Sequence, residues 1–221
     1  MNILGFDTSG PASAACVLRS DGKAFEHEPR PEAFTAPPAH ARELMPAIAH
    51  CLERARLAFA DLDVIAVGVG PGAFTGLRIG VSSARALARA SETELRMVSS
   101  PAALAAGAAE ALSLPLIDAG RGEVFAALFE EGEGRWPPFA ADPECVAARV
   151  RDEGLDPLAT GNGAVRFRDV LEAAGIRVAA SGSGTHVVRG LSICRLAAAE
   201  PATPPEAVLP DYLRLPDAKP R

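Results

Sequence analysis

Apolar and polar residues alternate in three short runs at the start of the chain, Asn2 to Asp7, Ser13 to Leu18 and Lys23 to Glu28. A period of two predicts strands, and the Asp21-Gly22 pair between the second and third runs predicts a hairpin turn, so the chain opens on a β-meander. The period then changes. A proline-rich stretch, Pro29 to Pro38, reads as a loop, after which Leu44, Ile48, Cys51, Ala55 and Phe59 fall on one stripe of a helix. An apolar strand from Val64 to Val69, a glycine-rich turn, a helix from Leu77 to Ala90 and a short strand at Arg96 to Val98 follow.

Three antiparallel strands followed by alternating helix and strand is the pattern of an RNase H-like half, the unit of the actin, heat-shock chaperone and sugar kinase folds. Ser99-Ser100-Pro101 marks a junction, with Pro101 at a helix start. The second half predicts a helix from Pro101 to Leu112, a hairpin of Leu114 to Asp118 with Glu123 to Phe129, and a loop over residues 130 to 143. A helix from Pro143 to Glu153, a strand from Leu158 to Thr160, a helix from Ala164 to Ala174 and a last helix from His186 to Glu200 complete it. The expected fold is α/β, with two RNase H-like halves of mixed sheets flanked by helices. Residues 1–100 form the first domain, and 101–221 a smaller, degenerate copy whose proline-punctuated tail from Pro201 runs extended over the surface.

The segment Gly70-Pro71-Gly72-Ala73-Phe74-Thr75-Gly76-Leu77-Arg78-Ile79-Gly80 joins strand to helix and has the glycine spacing of an anion cradle. It lacks the Lys-Ser or Lys-Thr pair of a Walker loop. Asp7, at the end of the first strand, stands where RNase H-like ATPases hold a metal through water, and it equally suits an Asx turn that closes the strand. Asp7, Thr8, Gly70, Gly72, Thr75 and Gly76 are therefore the candidate nucleotide or anion residues, in a degenerate form. His27, His40, His50 and His186 include no i,i+4 pair, so no metal site is expected, and no nucleophile with an adjacent base is found.

On the helix after the glycine turn, Arg78, Arg85 and Arg89 form one narrow stripe, while the remaining positions are small or apolar nearly all round. Such a helix has two covers. One is its own sheet; the other is either the domain's own Leu44 helix or a partner chain.

Composition narrows the partners. The net charge of −6, with no basic surplus in either half, excludes a domain that grips nucleic acid by itself. No segment approaches the ~20 apolar residues of a membrane span, and the start shows no export signal, so a cytoplasmic protein is expected. Cys16, Cys51, Cys145 and Cys194 are far apart in apolar contexts, which predicts reduced, buried thiols.

Asp7-Thr8-Ser9, His40 ahead of Leu44-Met45-Pro46, the turn from Gly70 to Gly80, Asp118 with Gly122-Glu123-Val124, and Pro210-Asp211-Tyr212-Leu213-Arg214 together resemble the TsaB family, also called YeaZ. The resemblance runs from the first strand to the tail. It implies a part in threonylcarbamoyladenosine synthesis on tRNAs that read codons beginning with A, as a non-catalytic relative of the transferase TsaD that works with TsaD and the ATPase TsaE. TsaD relatives carry a His-x-x-x-His metal pair on the helix that begins at His40 here, and Leu44 stands at the second position. The resemblance further implies a homodimer in the absence of TsaD, tRNA contact only within the complex, and no cofactor of its own, with ATP or ADP at the shared interface. His40, Leu44, Ile48, Cys51, Leu77, Arg78, Val81, Arg85 and Arg89 would form that interface, with no catalytic residue. A sugar-kinase-like phosphotransferase, suggested by Asp7 and the glycine turn, and a glycoprotease-like metallopeptidase are the competing readings.

Overall fold

In a computed structural model, described for residues 1–27 and 38–213, the chain builds two five-stranded mixed sheets. The proline-rich segment read as a loop lies, up to residue 37, outside the described residues, as does Arg214. The first sheet contains β1 (Ile3–Asp7), β2 (Ala14–Leu18), β3 (Ala24–His27), β4 (Val64–Gly68) and β5 (Glu94–Val98), in the order β3-β2-β1-β4-β5. The first three strands are antiparallel, and β4 and β5 run parallel to β1. Helices α1 (His40–Ala55) and α2 (Phe74–Ser91) are the crossovers that parallel strands require, and α3 (Ser100–Ala108) leads out of the sheet.

The second half repeats this plan. Strands β6 (Leu112–Gly120), β7 (Glu123–Glu130), β8 (Glu133–Ala141), β9 (Leu158–Thr160) and β10 (Arg177–Val178) take the order β10-β9-β6-β7-β8, which is the first sheet's order strand for strand. Helices α4 (Pro143–Asp152), α5 (Asn162–Arg166), α6 (Arg168–Ala173) and α7 (Gly190–Ala197) occupy the matching crossovers and exit. The expected loop over residues 130 to 143 is therefore mostly strand β8. Pro137 and Pro138 obscured it, yet both are tolerated because β8 is an edge strand paired only with β7. Strand β10, two residues long, has no periodicity to read. The expected last helix from His186 begins at Gly190 instead, after a 3₁₀ turn at Gly184–His186.

Strand alternation distributes the core. Leu4, Phe6, Ala15, Val17, Ile65 and Val67 point to one face of the first sheet, under α1 and α2. Ile3, Cys16, Val64 and Ala66 point to the other, where they meet Ile193, Cys194 and Ala197 of α7, the last helix of the second half. Helix α3 in turn sends Ala103 and Leu104 toward Ile117 and Phe125 of the second sheet, so each half's exit helix packs on the other half. Gly5 makes this approach possible: a Cβ there would lie 2.7 Å from the Cys194 sulfur. Arg189 at the start of α7 completes the join, its Nε and Nη2 donating to the Glu26 carboxylate of β3 at 3.0 and 2.5 Å. Cys16, Cys51 and Cys194 are buried as expected, whereas Cys145 on α4 is exposed.

Candidate functional site

The glycine turn and the loop after β1 meet backbone to backbone. A Cβ on Gly76 would stand 2.0 Å from the Thr8 carbonyl oxygen, one on Gly80 2.3 Å from Thr8 Oγ1, and one on Gly72 2.5 Å from the Ser9 Cβ. The glycine spacing read as an anion cradle is thus largely taken up by the chain itself. Thr8 Oγ1 donates to the Gly76 carbonyl at 2.8 Å, and the Ala73 amide donates to Ser9 O at 2.8 Å. Gly70 donates from its amide to Ser100 Oγ at 3.1 Å. Of the expected nucleotide or anion residues Asp7, Thr8, Gly70, Gly72, Thr75 and Gly76, Thr75, on the first turn of α2, is the exposed one.

Asp7 is sealed. Its Oδ1 accepts from the Ser9 amide at 2.7 Å and from Ser9 Oγ at 2.6 Å, which is the Asx turn, and its Oδ2 accepts from Ser100 Oγ at 2.6 Å. Burial raises its pKa above the ordinary value, and the three hydrogen bonds oppose that shift. Asp7 serves to lock the first strand to the start of α3 and presents no free oxygen to a metal or nucleotide.

His40, the first residue of α1, is also buried, where its Nε2 faces the Gly10 carbonyl at 3.1 Å and its Nδ1 faces Ser13 Oγ at 2.8 Å. The carbonyl needs a donor, so Nε2 carries the proton and Nδ1 accepts from the Ser13 hydroxyl. Burial lowers the His40 pKa, in keeping with this neutral form. Leu44, Ile48, Cys51, Leu77 and Val81, expected at a partner interface, are buried within the subunit's own apolar interior, and His40, expected with them, is buried too. The stripe that looked like an interface is the inward face of α1, because one helical periodicity serves either purpose. Arg78, Arg85 and Arg89 are the members of that expected set that reach solvent. The outward face of α2, with Thr75, Arg78, Ser82, Ala86 and Arg89, is exposed among the described residues.

Two concave regions adjoin these elements. A cleft of about 540 Å³ lies between the halves, lined by Ser9, Gly10 and Pro11 on one side and by Asp118, Asn162 and Arg166 on the other. Here Arg166 Nη1 donates to both Asp118 oxygens at 2.8 and 2.7 Å, and Asn162 Oδ1 accepts from the Asp118 amide at 3.2 Å. Arg166 falls within the helix expected from Ala164, and nothing local in the sequence marks it as the partner of Asp118. A groove of about 600 Å³ separates the N-termini of α1 and α2, with Arg42, Phe74, Thr75 and Ile79 among its walls. Neither helix has a side-chain cap: their N-cap residues are Ala39 and Ala73. Among the described residues no three His, Cys, Asp or Glu side chains gather as they would around a metal ion, and no helix is long and apolar enough to cross a membrane.

Comparison with known proteins places this geometry. The family model described as TsaD: tRNA N6-adenosine threonylcarbamoyltransferase matches residues 31–219. The tRNA threonylcarbamoyladenosine biosynthesis protein TsaB of Bacillus subtilis is 28% identical, over 99% of this chain and 96% of its own length. Its Escherichia coli namesake is 29% identical, over 80% and 78%. Among solved structures, YeaZ from Pseudomonas aeruginosa superposes with a TM-score of 0.76 at 27% identity, covering 96% of this chain and 99% of that one.

Proposed function

The chain belongs to the tRNA N6-adenosine threonylcarbamoyltransferase family, in its TsaB (YeaZ) branch, and from that premise we propose that it takes part in threonylcarbamoyladenosine synthesis on tRNA as a non-catalytic partner of TsaD. The observation that carries this reading is the state of α1. Where a TsaD relative would offer two imidazoles, His40 has both ring nitrogens engaged inside the subunit, and Leu44 is core. Asp7, the residue that favoured a phosphotransferase, has both oxygens committed to Ser9 and Ser100. Chemistry is therefore assigned to the partner, and docking to this chain.

The uncovered face of α2 is the surface we assign to that docking. A second copy of the chain competes for it when TsaD is absent, and TsaE joins the assembled pair. ATP or ADP belongs at the shared interface, where the two uncapped helix N-termini and Arg42 supply donors for an anion. tRNA is held by the complex, because this chain, with its net charge of −6, has no basic surplus to hold a phosphate backbone.

The test is reconstitution from purified chain, TsaD, TsaE, tRNA, ATP and threonylcarbamoyl-adenylate, with each component omitted in turn. Modified tRNA is expected to drop to background when this chain is left out. Transfer at full rate without it, or metal-dependent turnover by this chain alone, would overturn the proposal.

A further inference from the structure

Two halves of a chain that face each other across a cleft move by hinge or shear wherever the surface joining them can slide. Here that surface is built against sliding. Helices α3 and α7, each crossing from its own half onto the other, pack against one another, and the apolar layer they share joins Ile3 and Val64 of the first sheet to Ile117 and Phe125 of the second. Helix α7 touches all five strands of the first sheet, from edge strand β3 to edge strand β5.

Both ends of α7 are held by charged side chains of the first half. At its N-terminus the Glu26 carboxylate of β3, with its side chain only 10% exposed, accepts from the Arg189 guanidinium and also from the Leu191 amide at 3.2 Å. That amide is one that the first turn of a helix leaves unbonded. At the C-terminus Arg96 of β5, with its side chain 13% exposed, donates from Nη1 to the carbonyls of Ala197 and Ala198 at 3.0 and 3.4 Å. An acid at the positive end and a base at the negative end both suit the helix dipole.

Between these ends backbone sits on backbone. A Cβ on Gly190 would stand 2.5 Å from the Ala15 carbonyl carbon, as one on Gly5 would meet Cys194, so no layer of side chains lies there to yield. Shear along the helix axis breaks the contacts at both ends. Motion away from the sheet uncovers Ile193 and Cys194, which are fully buried.

We infer that Glu26 and Arg96 make α7 a lock on the hinge, so that the two halves move as one body and the cleft between them keeps one width. Closure around a ligand is thereby removed, and with it the step by which a two-lobed fold shuts reacting groups away from water. The docking role is no premise of this lock, and either can fail without the other.

Spin labels on the full chain test it by pulsed electron spin resonance. The pair Ala49→Cys on α1 and Asp169→Cys on α6 spans the two halves, the pair Ala49→Cys and Ala90→Cys lies within the first, and Cys145→Ser removes the exposed native thiol; all these positions are exposed. The pair across the halves is expected to give a single distance, no wider in distribution than the pair within one half. A second distance, or a wider distribution than that reference, would overturn the lock. Glu26→Gln combined with Arg96→Met is expected to stay folded by circular dichroism and to broaden the distribution across the halves about twofold. The parental distribution in the folded double variant would overturn the roles of Glu26 and Arg96. Should the double variant unfold, the parent chain measured against its reference pair decides the lock by itself.

Discussion

The two halves share one strand order, and each carries an aspartate on the first strand of its meander beside a glycine turn, yet the two corners have opposite characters. In the first half Asp7 is buried, with both oxygens taken by Ser9 and Ser100. In the second half Asp118 faces the cleft between the halves and is held by the exposed Arg166 and by its own hairpin, where the Gly120 amide donates to Oδ1 at 2.9 Å. The same fold position has thus been spent on stability in one copy and left at the surface in the other. A carboxylate at a strand end is a site only where its neighbours leave an oxygen free.

The strongest break of this comparison is Gly76→Ala. Its Cβ would stand 2.0 Å from a backbone carbonyl that cannot swing aside, so a loss of about 3 kcal/mol or more is expected in urea unfolding. A loss under about 1 kcal/mol would show that the corner between Thr8 and α2 is loose.

The next effect sets one aspartate against the other. Asp7→Ala leaves the Ser9 amide and two hydroxyls without their acceptor in the core, and a destabilisation of about 3 kcal/mol is expected. Asp118→Ala removes a partly exposed ion pair and is expected to lose about 1 kcal/mol or less. Equal losses in the two variants would remove the contrast.

The smallest effect is in the pH dependence. Burial holds the folded pKa of His40 below its ordinary 6.5, so folding favours the neutral ring. Its contribution is complete above 6.5 and is lost as the pH falls through the lowered folded value. Asp7 is shifted upward by burial, so its contribution is complete below 3.8 and is lost as the pH rises through the raised folded value. His40→Gln is therefore expected to flatten the decline in stability on acidification below 6.5, read from urea midpoints across pH. A variant profile parallel to that of the parent would show that His40 is not the group responsible.

Much of the architecture was legible along the chain. The meander, α1, β4, α2 and the hairpin of β6 with β7 follow from period and turn chemistry, since burial on one face imposes a pattern on the residues themselves. Strand β8 was not legible, because an edge strand tolerates Pro137 and Pro138 and these are also loop residues. The set of residues expected at a partner interface divides by burial. Arg78, Arg85 and Arg89 form a stripe on α2 and do reach solvent, but Leu44 and Ile48 of α1 and Leu77 of α2 are buried inside the subunit. A helical repeat reports that one face is covered and not by whom.

The order of strands and helices in the first half, the glycine-bearing turn and the family of this protein were determined by the sequence alone, because each rests on neighbours within a few residues or on motifs read in place. Only the tertiary structure decided that Asp7 is sealed by Ser100, that Arg166 reaches Asp118, and that the tail lies along α2. Those contacts join residues 93, 48 and more than 100 positions apart, and no local pattern encodes which surfaces the folded chain brings together.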